Sequence, residues 1–177
     1  MKKLFAMILS LTMALSLAAC GGEKAPEAEG TGEIDLNAFY TELAETYSWE
    51  DSEGDPADFS EESIVMMNLT SEPEFLDNYY PGLSEIPTKQ LIAQAAMISA
   101  IANEYVFVEC ENEDDAAKVA EILQNRVTMQ AEGGAWYPDT VESWSKAEVI
   151  TNGAFVGMIA AQENQAEITE AFNALFA

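Results

Sequence analysis

The stretch Asn103-Glu104-Tyr105-Val106-Phe107-Val108 carries the clearest strand signal in this chain. From Tyr105 onward it is a run of β-branched and aromatic residues, which favour strands. Residues 91–100 precede it and predict a second strand, although their alanines leave a helix as an alternative. With Asn103 placed in the turn, the two segments predict a β-hairpin.

A helix with clear start and stop signals follows this hairpin. Asn112 is a good N-cap residue, and the acidic residues 113–115 lie in the first turn, where the helix dipole favours negative charge. Gly133-Gly134 is expected to end the helix. The apolar positions recur at helical spacing and form one stripe: Ala116, Val119, Ala120, Leu123 and Val127.

The same order of elements returns about fifty positions later. Residues 147–151 and 155–161 predict two strands joined by a turn at Asn152-Gly153, and a helix is expected from about Glu163. Two hairpin-plus-helix units predict an α+β fold with a four-stranded antiparallel sheet. Both helices are expected on one face of it, because each has a single apolar stripe to bury.

Strand alternation divides the side chains of the predicted sheet between two faces. The set expected to face the helices is Val106, Val108, Cys110, Val156, Met158 and Ala160. The set on the opposite face is Tyr105, Phe107, Phe155 and Ile159. This second face is too apolar to be left exposed to water. We therefore expect an additional helix to cover it and any uncovered part to bind a partner.

The additional helix is predicted after Asp35, a good N-cap residue. Its apolar residues have the spacing of one helical face: Leu36, Phe39, Tyr40, Leu43 and Tyr47. Docking on the core is the expected role, with a partner-binding face as the alternative. Further on, residues 72–80 predict a short helix closed by Pro81-Gly82, and residues 64–69 fit either a short strand or a helical turn.

The N-terminus has the features of a processed export signal. Lys2 and Lys3 precede an apolar run, residues 4–17, that is too short to span a bilayer. The following Leu17-Ala18-Ala19-Cys20 resembles the lipobox of bacterial lipoproteins, which implies cleavage before Cys20 and lipidation of that cysteine. A secretory signal peptide cut after Ala19, leaving a free cysteine, is the alternative.

These features predict three segments. They are a lipoprotein signal peptide over residues 1–19, a lipidated cysteine with a flexible Gly/Pro/Glu-rich tether over 20–33, and a single α+β domain over 34–177. The protein is therefore expected on the extracytoplasmic face of the cell membrane, held through the lipid on Cys20. With Cys20 lipidated, Cys110 has no disulfide partner and is expected to be a small buried residue.

The charge of the chain excludes one class of partner. The formal net charge is −25, and cleavage before Cys20 removes two lysines to give −27. Nucleic-acid binding depends on lysine and arginine contacts to phosphates, so it is excluded. The same charge repels anionic lipid headgroups, and attachment to the membrane must therefore come from the lipid.

Catalytic signals are weak in this sequence. There is no histidine, which removes the usual base of serine and cysteine nucleophile sites and most catalytic zinc sites. No nucleophile elbow, phosphate loop or dinucleotide-binding turn is found. We predict a non-enzymatic protein without a cofactor, and a carboxylate-only hydrolase is the lesser alternative.

Two further features concern charged ligands. Four acidic residues fit positions 1, 3, 5 and 12 of an EF-hand register: Asp51, Glu53, Asp55 and Glu62. Pro56 stands where that loop needs glycine, so a solvated acidic loop over residues 50–62 is preferred and weak calcium binding is the alternative. Arg126 is the only arginine. We predict that it forms an internal ion pair, and binding of a carboxylate ligand is the alternative.

Several short motifs together resemble the domain of unknown function 4358 family, whose members are small lipoproteins of Gram-positive bacteria. The motifs are Tyr79-Tyr80-Pro81-Gly82, Asn103-Glu104-Tyr105-Val106-Phe107, Arg126 with Gln130, Trp136-Tyr137-Pro138 and Gly153-Ala154-Phe155-Val156. The resemblance covers roughly residues 36–176, and the acidic stretch 50–62 is longer than expected for the family. It implies the fold and the location, and it transfers no functional residue because the family has no known activity.

The sequence therefore predicts a lipid-anchored, monomeric binding or interaction module with an unidentified protein partner. The alternative is an acidic module that responds to calcium through residues 50–62. The residues predicted to contact a partner are Tyr105, Phe107, Phe155, Trp136 and Trp144.

Overall fold

The computed structural model of this chain describes residues 34–55, 63–71 and 73–177. The helices in this part are α1 (Leu36–Tyr47), α2 (Pro73–Tyr79), α3 (Glu113–Met129), α4 (Pro138–Ser145) and α5 (Gln165–Ala174). The strands are β1 (Trp49–Asp51), β2 (Ile64–Asn68), β3 (Thr88–Ala96), β4 (Glu104–Cys110), β5 (Glu148–Asn152) and β6 (Phe155–Ala160). The predicted signal peptide, Cys20 and the tether lie outside the described residues, as does Glu62.

The strands form one sheet in the order β1-β2-β3-β4-β6-β5. Four of these strands form the two predicted hairpins, β3 with β4 and β5 with β6. All pairings among the four are antiparallel. The predicted α+β class is confirmed, but the prediction of four antiparallel strands is wrong, because two more strands extend one edge. β2 joins β3 antiparallel and β1 joins β2 parallel, which makes the sheet six-stranded and mixed.

Of the two extra strands, β2 lies within residues 64–69, for which a short strand was one of two interpretations, whereas β1 was not predicted. β1 has three residues, too few to show alternation, and its Glu50 and Asp51 lie in the segment predicted as a solvated loop. β1 pairs parallel with β2, and a parallel pair needs a long connection. Residues 52–63 provide it.

One face of the sheet carries α2, α3 and α4. The stripe of α3 packs on the β4 and β6 residues predicted to face a helix, together with Leu76 and Tyr80 from the α2 region and Trp144 of α4. Asn112 caps α3 as predicted, because its side-chain oxygen accepts a hydrogen bond from the Asp115 N–H at 3.0 Å. Cys110 is a buried free thiol in this layer, and burial raises its pKa.

The other face carries α1 and α5, so the prediction that both repeat helices share one face is wrong. Ile168 and Phe172 of α5 pack with Phe39 of α1 over Phe107. The connection after β6 turns the chain to this side through Asn164, whose φ of 59° lies in the left-handed region. The expected cover by α1 is present, and α5 shares it.

α1 begins where predicted and is tied to the sheet. The Asp35 carboxylate accepts hydrogen bonds from the N–H groups of Asn37 and Ala38, and Leu36, Phe39 and Leu43 are buried. Gln90 of β3 accepts a hydrogen bond from the Leu36 N–H at 2.9 Å. Within the described residues, no helix combines the length and apolar character needed to cross a membrane.

Candidate functional site

A cleft of about 380 Å³ opens at one end of the sheet, where β3 ends and β4 begins. Tyr79 of α2, the loop between β3 and β4, and Arg126 of α3 line it. The turn between α3 and α4 and Trp144 of α4 complete the wall. The volume falls within the roughly 300–1,000 Å³ range of small-molecule sites.

The floor of the cleft is a buried ion pair between Glu104 and Arg126. Arg126 Nε donates to Glu104 Oε1 at 2.9 Å, and Nη2 donates to Oε2 at 2.7 Å. The Tyr80 hydroxyl also donates to Oε1, at 2.7 Å. The side chains of Glu104 and Arg126 are only 5% and 12% exposed, so this two-point pair holds the guanidinium in a fixed plane.

Two aromatic rings lie beside the guanidinium. Arg126 Cζ lies 4.7 Å from the centroid of the Tyr79 ring and 5.5 Å from that of Trp144, within cation–π range. Burial alone would lower the pKa of Arg126, but the hydrogen bonds and charge of Glu104 outweigh it and raise that pKa. Burial and the charge of Glu104 raise the pKa of Tyr79 and of Tyr80, so both phenols stay neutral.

One edge of the guanidinium has no hydrogen-bond partner among the described residues. Arg126 Nη1 donates no hydrogen bond to any described residue, and it is not among the fully buried unpaired atoms of that part of the chain. A guanidinium has five N–H donors, of which the pair with Glu104 uses two. Arg126 therefore presents oriented donors where it lines the cleft.

The turn after α3 places an amide beside this arginine. Gln130 lies one helical turn beyond Arg126 and also lines the cleft. Gly134 makes room for it, because a Cβ at Gly134 would lie 3.1 Å from the Gln130 side-chain nitrogen and 2.9 Å from the Met129 carbonyl oxygen. The wide turn closes at Gly133, whose φ of 133° suits glycine.

The rim of the cleft is aromatic and exposed. Trp136 is 91% exposed, and Tyr137 and Met97 are also more than half exposed. Large apolar side chains in contact with water are favourable surfaces for a ligand to cover. The rim and the polar floor together make a site with an apolar upper wall and oriented hydrogen-bond groups below.

The predicted contact residues fall into two groups. Trp136 and Trp144 come together at the cleft, Trp136 on the rim and Trp144 buried beside Arg126. The interpretation of Tyr105 and Phe107 as partner contacts is corrected, because α1 and α5 leave both fully buried. Phe155 is partly buried and packs on Phe176, with ring centroids 5.3 Å apart.

The candidate calcium ligands lie far along the chain from the cleft residues, around β1. Asp51 ends β1, and its carboxylate accepts a hydrogen bond from the Glu53 N–H at 2.9 Å, a local turn contact. No cluster of three or more acidic or cysteine side chains suited to a metal occurs among the described residues. Glu62 lies outside them, so the complete predicted set is not described.

A smaller pocket of about 300 Å³ lies on the opposite face, beside Trp49 and Tyr105. The two rings stack at 4.3 Å, and burial raises the pKa of Tyr105. Among the described residues, the Tyr105 hydroxyl is one of two buried side-chain oxygens without a hydrogen-bond partner. Glu163 is the one charged side chain among the described residues that line this pocket, which therefore contains no ion pair like that of Glu104 and Arg126.

The sequence interpretation missed Glu104, Tyr79 and Gln130 as site residues. Glu104 was one of 32 acidic residues, and only its position at the start of a buried strand sets it apart. All three do occur in the motifs that carried the family resemblance. The lone arginine was the available signal, because a buried arginine requires a buried carboxylate nearby.

Fold and cleft define a class: an α+β domain with helices on both faces of a mixed sheet and an aromatic cleft over a buried ion pair. The chain belongs to the family described as Domain of unknown function (DUF4358), which matches residues 61–161. This range includes every described residue that lines the cleft, whereas α1 and α5 lie outside it. Comparison with curated proteins and with solved structures gave no significant match.

Proposed function

We propose that this protein is a lipid-anchored extracytoplasmic binding module without catalytic activity, and that the cleft over Glu104 and Arg126 is its binding site. One observation carries the binding role. Arg126 is fixed by its pair with Glu104 and by two aromatic rings, and its Nη1 edge has no partner among the described residues. A ligand that accepts from Nη1 meets a donor that needs no further ordering.

The state of Glu104 supports a role without catalysis. In the part of the chain that the structure describes, it is the one carboxylate that lines the cleft, and its two oxygens accept three hydrogen bonds. A general base needs an available oxygen lone pair directed at the substrate and a pKa suited to the task. Glu104 is engaged as a structural acceptor instead. The chain also has no histidine.

The location rests on the N-terminal sequence. Lys2 and Lys3, the apolar run to Leu17 and the residues up to Cys20 have the pattern of a lipoprotein signal. The net charge leaves the lipid as the means of membrane attachment. We propose that the domain acts as a monomer on its tether.

Lipid anchoring is tested by expressing the chain and Cys20→Ala in a bacterium supplied with labelled fatty acid. The unaltered chain is expected to carry the label and to fractionate with membrane. Protease added to intact cells that lack an outer membrane should cleave it. Cys20→Ala is expected to lose label and membrane attachment. An unlabelled Cys20→Ala chain that still fractionates with membrane would contradict anchoring through Cys20.

The binding role is tested by thermal melting of the chain against compounds of all charge types. A true ligand raises the melting temperature with its concentration, since it binds only the folded state. Trp136→Ala should abolish that rise, whereas Phe75→Ala, an exposed apolar residue that does not line the cleft, should preserve it. If the ligand raises the melting temperature of Trp136→Ala as much as that of the unaltered chain, the ligand binds outside the cleft.

A further inference from the structure

We infer that the cleft takes a neutral, hydroxyl-bearing ring, namely a sugar unit of an uncharged carbohydrate. This inference rests on the binding role proposed above and adds the class of ligand. Three properties of the cleft lead to it: its charge, its hydrogen-bonding groups and its exposed aromatic wall.

The charges that line the cleft disfavour ions of either sign. Among the described residues, Glu104 and Arg126 are the only charged side chains that line it, and they neutralise each other at 2.7–2.9 Å. An anion would meet Glu104 and the field of a chain with a net charge of −25. A cation would meet Arg126, which already faces Tyr79 and Trp144, the rings that an aromatic cage for a cation would need. A neutral ligand avoids both penalties.

The polar groups of the cleft match hydroxyl groups. Arg126 Nη1 offers donors, and the amide of Gln130 both donates and accepts. A sugar hydroxyl likewise donates and accepts, so adjacent hydroxyls of one ring can engage both side chains. A wholly apolar ligand would strip water from Nη1 and from the amide without replacing those hydrogen bonds, which is unfavourable.

The aromatic wall matches the flat side of a sugar ring. A pyranose has a face of C–H groups and an edge of hydroxyls, so one molecule presents both surfaces that the cleft requires. Trp136 is 91% exposed, and Tyr137 stands next to it on the rim. A ring that lays its C–H face on Trp136 covers this apolar surface while its edge reaches the floor.

Calorimetry on the full chain, purified with its anchor in a polyoxyethylene detergent that carries no sugar, tests the inference. The probes are cellotetraose, maltotetraose and chitotetraose, an oligogalacturonate as the anionic counterpart, and tetramethylammonium as a cation. At least one neutral tetrasaccharide is expected to bind, with the oligogalacturonate at least about tenfold weaker, or about 1.4 kcal/mol. Trp136→Ala and Gln130→Ala should each weaken that binding about tenfold or more, and Phe75→Ala should leave it unchanged.

The outcomes separate the ligand class from the binding role. Binding of oligogalacturonate or tetramethylammonium alone, lost in Trp136→Ala, would overturn the neutral-sugar inference and leave the binding role standing. If a tetrasaccharide binds Trp136→Ala and Gln130→Ala as tightly as the unaltered chain, the sugar binds outside the cleft and the inference is overturned. Absence of binding by every probe would overturn the sugar inference, and the compound screen described above would then judge the binding role.

Discussion

At the scale of single residues, Glu104 and Arg126 determine the chemistry of the cleft. Removing two charges from water is expensive, and a buried pair is tolerated only when its geometry and hydrogen bonds are nearly complete. Here the carboxylate accepts from Nε, Nη2 and the Tyr80 hydroxyl, all within 2.9 Å. The arrangement fixes the arginine without using all its donors.

Glu104→Ala should destabilise the fold strongly because it leaves a buried guanidinium without a counter-ion. The expected loss in the free energy of unfolding is about 3–5 kcal/mol, measured by urea denaturation. Glu142→Ala is the matched control, since Glu142 pairs with Lys146 at the exposed surface, where an ion pair contributes little to stability. Equal small losses in both variants would contradict the structural role of the buried pair.

Glu109 should make stability depend on pH in the acid range. Its pKa is lowered, first by the hydrogen bond from Gln90 and then by Lys89, against the opposing effect of burial. The ionised form therefore contributes stability above the ordinary carboxyl pKa. This contribution is lost as the pH falls below that value through the lowered folded pKa.

The comparison of the chain with Glu109→Gln isolates this effect. The difference in unfolding free energy should be largest at neutral pH and should shrink from about pH 5 downward. Urea denaturation across this range measures it. A difference that stays constant with pH would show that Glu109 contributes through its shape and not through its charge.

At this scale the sequence predicted the type of interaction better than its partners. The internal ion pair of Arg126 follows from one arginine among many acids, but only the fold selects Glu104. Trp136 and Trp144 are eight positions apart, and the turn between α3 and α4 brings them to one cleft. Tyr105 and Phe107 were candidate partner contacts only if the additional helix left them uncovered, and the extent of cover by α1 and α5 is a tertiary property.

At the scale of elements, Gly157 shows why α5 lies on the sheet face that it covers. A Cβ at this position would lie 2.7 Å from the Phe172 ring, so the missing side chain creates the space that the ring occupies. Phe172 also stacks on Phe107, the register partner of Gly157, with ring centroids 5.3 Å apart. The absence of a side chain at Gly157 in β6 thus allows α5 to pack closely on the sheet.

Gly157→Ala should therefore destabilise the fold by about 1–3 kcal/mol, the usual effect of overpacking. The sign is informative, because alanine in place of glycine within a strand ordinarily stabilises it. Phe172→Leu in the same chain should recover part of the loss, since the two positions are in contact and their effects are not additive. Chemical denaturation of both single variants and the double variant measures this. A stabilising Gly157→Ala would contradict the packing.

The hairpins were predictable because their signals are local: β-branched runs, turn residues and alternation within a few positions. The side on which α5 docks was not, because its single apolar stripe fits either face. The repeat between the two units suggested the same side for both helices. The left-handed Asn164 and the space above Gly157 place α5 on the opposite side. Each of these features depends on a single residue and belongs to no repeated pattern.

At the scale of the whole molecule, the net charge of −25 acts against the folded state through self-repulsion. Raising the ionic strength from about 0.01 M to about 0.15 M shortens the screening length from about 30 Å to about 8 Å. The melting temperature should rise by a few degrees, whichever monovalent salt is used. A fall in melting temperature would contradict net repulsion.

The same experiment separates screening from calcium binding. Calcium chloride at matched ionic strength should shift the melting temperature about as much as the monovalent salts do if residues 50–62 are a solvated loop. A clearly larger shift at low calcium concentration would favour the cation-responsive alternative, since a specific ligand stabilises by mass action.

The three tryptophans of the chain report where a ligand binds. Trp136 and Trp144 line the cleft, and Trp49 lies beside the pocket on the opposite face. In a proton–nitrogen NMR titration of the full chain with the tetrasaccharide that binds in calorimetry, the indole signals of Trp136 and Trp144 should move while that of Trp49 stays in place. Movement of Trp49 alone, or no movement of any indole at saturation, would contradict the cleft as the binding site.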